Sequence, residues 1–373
     1  MLVVLSGAKK NIGDFLIVDR ACKLIESILG EEIVVLPRWK SLDAHEETVA
    51  KARAVVVGGG PGVLPSMYPQ IYPLFSDPGK LRELGVPLRL LGVGWFASRG
   101  DAAEMRRFAW TPETKAFLDT IGDALAVSTR DAVTRRLLLA KGLSDVTMSG
   151  CPVFYDLRHL GEPYRRPADV KTVVYTTPQS PRFTDQNLQL LRAVIERFPG
   201  AKVIAAFHRG LAADEFTTPA EAERFGEMAR RCAELGAEVR DVSYDLDNIA
   251  FYDDCDFHIG YRVHAHLRFI SGRKPSVLLE EDGRGRGFAE VLPAPSIRAW
   301  TIPSLGRALL PALPYAPRRL ERRFSRIEAA PDTVERTMVA VDAFIAGDDA
   351  PYERAVEAIE ATYPVMKGFI ERV

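Results

Sequence analysis

Residues 157–171 read LRHLGEPYRRPADVK, a polar stretch with two prolines. Such composition between apolar runs reads as a linker. What flanks it decides the fold. Upstream, short β-rich apolar runs alternate with helical patterns: Leu2–Ser6, Ile33–Leu36, Ala54–Val57, Leu88–Val93, Ala124–Ser128 and Val146–Met148. The runs are mostly continuous rather than alternating, which predicts strands buried on both faces of a helix-covered parallel sheet. The clearest helix spans Asp14–Leu29, where Phe15, Val18, Cys22, Ile25 and Leu29 recur at helical spacing and Asp14 suits the N-cap. A second opens at Asp131 and runs to Ala140. Downstream of the linker the alternation restarts. Strands are expected at Thr172–Thr176, Lys202–Phe207, Glu238–Val242, Phe257–Gly260 and Ser276–Leu279, with helices at Thr184–Phe198 and Pro219–Leu235. The predicted class is therefore α/β, with two doubly wound Rossmann-like domains facing a cleft. The expected units are residues 1–156, the linker 157–171, residues 172–330, and C-terminal helices over 331–373 that pack back on the first domain.

Length and composition agree. A chain of 373 residues suits two domains, or three at most. With 47% hydrophobic and 27% charged residues it can bury real cores. Lys+Arg and Asp+Glu number 49 and 50, so there is no global electrostatic case for nucleic acid. The four cysteines lie far apart and form no CxxC pair, which argues against a zinc ribbon and fits a reducing compartment. The opening MLVVLSGAKKNIGD has too short an apolar run for a signal-peptide core, and no stretch reaches the roughly 18 apolar residues of a membrane span. The expectation is a soluble, cytoplasmic protein. Arg307–Arg326 carries six arginines against Glu321 alone. The preferred reading is a solvated helix face after a proline-rich loop; peripheral contact with the inner face of a membrane or an anionic polymer is the alternative.

In doubly wound sheets, ligands bind at the carboxyl ends of the strands. Several chemistry-bearing residues fall there. The first strand runs into Gly7–Asp14, GAKKNIGD, a glycine-flanked loop opening a helix. It is a tight turn or an anion cradle, with Lys9, Lys10, Asn11 and Asp14 as its polar residues. The third strand runs into Gly58-Gly59-Gly60-Pro61-Gly62, where a ligand can approach the backbone closely or the chain needs positive φ. Arg130 follows the fifth strand, with Asp131 as the expected cap of the next helix. A guanidinium at that edge suits a carboxylate or phosphate, or a surface ion pair. His208-Arg209 ends a strand of the second half and also points at the cleft.

The densest cluster is FHIGYRVHAH, residues 257–266, which holds three of the six histidines. If extended, Arg262, His264 and His266 share a face; if helical, Arg262 and His266 do. His-x-His can bind a metal, but no third ligand is evident, so anion binding with acid–base work is preferred over a metal site. Asp245-x-Asp247 suits a divalent cation beside a diphosphate, or a helix cap. Cys151, in Gly-Cys-Pro, reads as structural.

Taken in order, these features resemble the polysaccharide pyruvyl transferase family. Its N-x-G-D turn is matched by Asn11–Asp14, its triple-glycine strand end by Gly58–Gly60, and its S-x-R-D by Ser128–Asp131. Its Gly-Cys-Pro turn is matched by Gly150–Pro152, and its I-G-x-R-x-H-A by Ile259–Ala265. The family carries a Tyr and a Lys after the last strand of the second domain; here Arg284 stands for the Lys and the Tyr is missing. The resemblance implies a fold similar to the two-domain GT-B glycosyltransferases. It also implies transfer of pyruvate from phosphoenolpyruvate to two hydroxyls of a sugar or lipid-linked oligosaccharide, without metal or other cofactor. His264 is then the expected general acid, with His266 as runner-up, and Asp14 is a candidate base. Arg262, Arg130, Lys10, Asn11, Gly59 and Gly60 would hold the donor, and His208, Arg209 and Arg284 the substrate side. A nucleotide-sugar glycosyltransferase and a non-catalytic glycan-binding relative are the competing readings.

Overall fold

The structure is a computed structural model that describes residues 1–303 and 326–373. Among them, the first sheet has seven strands: β1 (Leu2–Ser6), β2 (Ile33–Pro37), β3 (Val55–Val57), β4 (Gly60–Val63), β5 (Leu88–Trp95), β6 (Leu125–Thr129) and β7 (Val146–Met148). Its order is β2-β1-β3-β5-β6-β7, with β4 added beside β5, and every pairing is parallel. Strand β1 is buried at all five positions, as a continuous apolar run between two parallel neighbours requires.

The second sheet has six strands: β8 (Thr172–Thr176), β9 (Lys202–Phe207), β10 (Glu238–Asp241), β11 (Phe257–Gly260), β12 (Ser276–Glu280) and β13 (Ser296–Arg298). Its order, β10-β9-β8-β11-β12-β13, is again wholly parallel. The predicted strands are present to within a residue or two at their ends. Strands β4 and β13 were not anticipated. The glycine run expected to be a loop after β3 turns back into the sheet at Gly60. Ser-Ile-Arg is too short to carry a periodic signal.

The helix Ile12–Leu29 starts two residues before the expected cap. Asn11 holds the cap position with extended backbone, and Asp14 lies inside the first turn. The helix stops at Gly30, whose left-handed backbone (φ 63°) lets its N–H bond the Glu26 carbonyl. Its buried face is centred on Leu16, Ile17, Ala21, Leu24 and Ile25, rotated from the stripe that begins at Phe15. Asp131 caps its helix as expected, accepting from the Thr134 N–H.

One apolar cluster runs through both domains, from Leu2 and Val4 through Phe154 and Tyr155 to Val173, Leu279, Met366 and Phe369. The helix Ile12–Leu29 packs on the helix Val263–Ser271 of the second sheet and on the C-terminal helix Ala350–Glu371, which also touches β7. Main-chain bonds cross between the domains as well. Ile12 N–H donates to the His208 carbonyl (3.1 Å), Tyr244 N–H to the Lys10 carbonyl (3.0 Å), and Gly283 N–H to the Ser98 carbonyl (3.0 Å). Apart from Arg326, the basic segment Arg307–Arg326 lies outside the described residues or at their edge. Among the described residues no helix is long and apolar enough to cross a membrane.

Candidate active site

The parallel topology places the carboxyl ends of both sheets opposite each other. A cavity of about 180 Å³ lies between them, lined by Asn11 and Asp14 from one side and Arg262 and His264 from the other. Arg130, His208, Arg209 and Arg284 line it as well, together with Gln179 and the carboxylate of Glu281. Eight of the residues singled out from the sequence therefore meet in one pocket.

Six of the eight sit at or just before helix starts, whereas His208 and Arg209 follow β9. Helix N-termini carry unpaired N–H groups and a positive dipole end, so their convergence favours an anion. Arg262 is the cap position of the helix Val263–Ser271, and its N–H donates to Thr176 Oγ1 (3.1 Å). His264 sits in the first turn, against the start of the helix Ile12–Leu29. A Cβ on Gly13 would lie 2.7 Å from His264 Nδ1, so only glycine leaves room for the ring. Arg130 is 1% exposed and lies across the Phe288 ring, 4.9 Å from its centroid. A Cβ on Gly94 would meet its Nε at 1.9 Å, so that glycine vacates the space the guanidinium occupies.

The nitrogens of these side chains are incompletely satisfied. Arg130 Nε is 3.4 Å from Asp131 Oδ2, but neither Nε nor Nη2 makes a hydrogen bond. Arg262 Nε and His264 Nε2 are buried without a hydrogen-bond partner. Buried donors without partners are costly, of order 1–3 kcal/mol each, and in native proteins such groups call for an explanation. Burial also lowers the pKa of Arg130, and that of Arg262 to about 10. Burial, reinforced by Arg130 and Arg284, pushes the His264 imidazole down to about 3, which favours the neutral ring. Burial raises the Asp14 carboxyl pKa, opposed by a hydrogen bond from Asn11 Nδ2 (3.1 Å) and by the charges of Arg38, Arg284 and Arg209. Arg284 is paired with Asp282 (2.6 Å), and Glu281 accepts the Gln179 and Ser180 N–H groups.

Other expectations are corrected. His266 does not face the pocket. It points into the core, where its Nδ1 and that of His258 both meet Ser276 Oγ at 2.7 Å, and His258 Nε2 meets Thr176 Oγ1 at 2.9 Å. A helix that begins at Val263 turns residues 264 and 266 to different sides. Lys10 is spent on the domain contact: its ammonium bonds Asp214 Oδ2 (2.6 Å), Thr217 Oγ1 (2.7 Å) and the Ala212 carbonyl (2.9 Å). Gly59 and Gly60 lie outside the wall of the pocket. Both have positive φ, and a Cβ on Gly59 would strike Ile17 at 2.8 Å, so that glycine serves helix–sheet packing. His208 lines the pocket, but its Nε2 is engaged by the Tyr252 hydroxyl (2.8 Å). Asp245 caps its following helical turn, accepting from Asp247 N–H. Among the described residues no three His, Cys, Asp or Glu side chains gather as a metal site would require. Cys151 is fully buried, and burial raises its thiol to about 11.

Thr176, His258 and Gly94 were missed. Thr176 and His258 act beneath Arg262 rather than in the wall. The only trace of Gly94 is Gly92-Val93-Gly94-Trp95, two glycines in a buried strand.

Two parallel-sheet domains whose strand ends face each other across a polar cleft define a GT-B-type architecture. UDP-GlcNAc 2-epimerase from Methanocaldococcus jannaschii aligns at TM-score 0.52 and 11% identity, covering 98% of this chain and 99% of the other. The Neisseria meningitidis UDP-GlcNAc 2-epimerase bound to UDP-GlcNAc aligns at TM-score 0.51 and 8% identity, covering 100% of both. At such identity the likeness concerns the fold alone. No curated protein matches the chain significantly. The sequence pattern of the polysaccharide pyruvyl transferase family, however, matches residues 11–283. The chain belongs to that family and is a transferase.

Proposed function

We propose that the protein transfers the pyruvyl group of phosphoenolpyruvate to two hydroxyls of a sugar, closing a cyclic ketal. The observation that carries this reading is the set of unpartnered buried nitrogens of Arg130, Arg262 and His264 around one small cavity. Phosphoenolpyruvate brings a carboxylate and a phosphate, and guanidiniums bind both through charge-assisted hydrogen bonds. At about 180 Å³ the cavity suits a compact anion.

The chemistry needs an acid at the methylene carbon. Protonation there moves the enol double-bond electrons to form a C–H bond and leaves an oxocarbenium-like centre at C2. The first sugar hydroxyl attacks C2 and loses its proton. The C2–O bond to phosphate then breaks, and the second hydroxyl attacks to close the ring. Of the two hydroxyl protons, one balances the methyl group and the other the released phosphate. His264 is assigned the acid. Burial and two arginines oppose its charge. A bound phosphate reverses that balance by neutralising the arginines and favouring imidazolium. Asp14 is assigned the base: burial raises its pKa, which strengthens its hold on a hydroxyl proton.

Calorimetry with phosphoenolpyruvate and, separately, UDP-sugars tests the reading. Saturable phosphoenolpyruvate binding that weakens at least tenfold in Arg262→Ala is expected. UDP-sugar binding with no phosphoenolpyruvate binding would overturn it in favour of a glycosyltransferase.

A further inference from the structure

The turn that opens the helix Ile12–Leu29 is gripped by the other domain. Lys10 is 2% exposed, and its ammonium meets three acceptors from one segment, residues 209–218, which joins β9 to the helix Pro219–Glu234. They are the Ala212 carbonyl, Asp214 Oδ2 and Thr217 Oγ1, one for each of the three protons. Gly210 lies against the lysine stem. Its φ is 77°, and a Cβ there would stand 2.8 Å from Lys10 Cε.

Burial does little to hold this segment. Ala212–Glu215 are exposed, and of residues 209–218 only Gly210 and Thr217 are buried. Its internal order is one bridge, in which Asp214 and Thr217 exchange main-chain bonds of 3.0 and 3.3 Å. Leu211 N–H donates to Asp241 Oδ2 (2.9 Å) and Phe216 N–H to Asp214 Oδ1 (2.8 Å). Asp214 also accepts from the Tyr244 hydroxyl (2.6 Å). Tyr244 has a left-handed backbone (φ 68°), which non-glycine residues seldom adopt, and its N–H donates to the Lys10 carbonyl. Alongside, the Lys9 ammonium lies 4.6 Å from the Trp39 ring of the first domain and 5.7 Å from the Phe216 ring of the loop.

The loop begins at Arg209. That residue lines the candidate active site and an adjoining cavity of about 280 Å³, and Asn11 and Asp14 line both as well. We infer that Lys10 is a positioning residue: its ammonium, supplied by the first domain, organises the loop 209–218 of the second and so holds Arg209 on the wall it shares with Asp14. A charge-assisted hydrogen bond is roughly twice as strong as a neutral one, and the loop buries too little to keep its shape without this contact. The wall is therefore complete only while the domains are engaged. The inference rests on the pyruvyl-transfer reading only for the ligand used to test it.

Hydrogen exchange in the full-length protein reads the loop without any ligand. Lys10→Met should speed exchange of the Leu211, Asp214, Phe216 and Thr217 amides at least tenfold, with the amides of β9 unchanged. Asp214→Asn keeps the Phe216 acceptor but removes the charge, and it stands in should Lys10→Met fail to fold. Wild-type exchange in the folded variant overturns the inference. Calorimetry with phosphoenolpyruvate then reads Arg209. K10M and R209Q should each weaken binding at least fivefold, and K10M/R209Q should bind within twofold of R209Q, because the lysine acts through the arginine. Losses that multiply would overturn the positioning role. Lys10→Arg keeps the charge and is expected to restore both readings to within threefold; loop exchange as fast as in K10M would show that the charge does not organise the loop. If phosphoenolpyruvate does not bind the wild type, the donor reading falls, while fast loop exchange in K10M still supports the role of Lys10 and slow exchange still overturns it.

Discussion

The helix Val263–Ser271 has two faces that place similar residues in opposite circumstances. On one, His266 is buried in the core and hydrogen-bonded to Ser276. On the other, His264 looks into the cleft, and its Nε2 has no partner. Burial pushes both imidazoles down to about 3. The perturbed basicity therefore does not separate them; the missing partner does. A satisfied buried histidine is a piece of architecture, whereas an unsatisfied one beside two unsatisfied arginines is held ready for something that arrives later.

The largest expected difference between the faces is kinetic. His264→Ala should lower turnover by roughly 10²–10⁴, the usual range for loss of a general acid, with the melting temperature nearly unchanged. His266→Ala should leave kcat of the folded protein within a few-fold. Phosphate release from phosphoenolpyruvate with an acceptor present reads both, and comparable losses in the two variants would erase the distinction.

Next in size are the glycines that hold the pocket open. Gly94→Ala displaces Arg130, and Gly13→Ala displaces His264. Each is expected to lower kcat/KM by about 10²-fold, the order of effect that a 1 Å misplacement produces. Full activity in Gly94→Ala would mean that Arg130 moves aside without consequence.

On the core face the expected effect is on stability. His266→Ala leaves the Ser276 hydroxyl one partner short and opens a cavity, so a loss of about 1–3 kcal/mol is expected in urea unfolding. An unchanged midpoint would show that the His258–Ser276–His266 chain contributes nothing.

The most gradual effect is that of pH. Burial lowers the pKa of His208, His258 and His266, so the unfolded chain binds more protons than the native one below the ordinary value of 6.5. The stability these neutral rings contribute is present above 6.5 and is lost as the pH falls from there toward about 3. Urea midpoints should therefore drop steadily through that window, and His266→Asn should flatten the slope. A midpoint that rises on acidification would contradict the assignment.

The architecture was legible because parallel strands buried on both faces leave continuous apolar runs, and β1 and β8 are as clear in sequence as in space. Strand β4 was not, because Gly60-Pro61-Gly62-Val63 has the composition of a turn. Most of the pocket was legible because the ends of parallel strands converge, so Arg130 and Arg262 could be placed from register, whereas His264 was singled out by the family resemblance. The direction of a side chain in the first turn of a helix could not be placed from register. His266 was misassigned because one residue's difference in where the helix begins decides which histidine meets the cleft. Lys10 was misassigned because its partner Asp214 comes from the other domain, and no local pattern announces it. Gly94 escaped because a strand glycine acquires meaning only from neighbours distant in the chain.

Gly13 belongs to the first domain and His264 to the second, yet the absence of one side chain is the room for the other. The two domains are consequently not interchangeable parts in inheritance. A recombinant that joined this second domain to a relative's first domain bearing any side chain at that position would obstruct its own pocket, however well each half folded. Positions 13 and 264 thus form a pair, one fitted by the ring it carries and the other by the side chain it lacks.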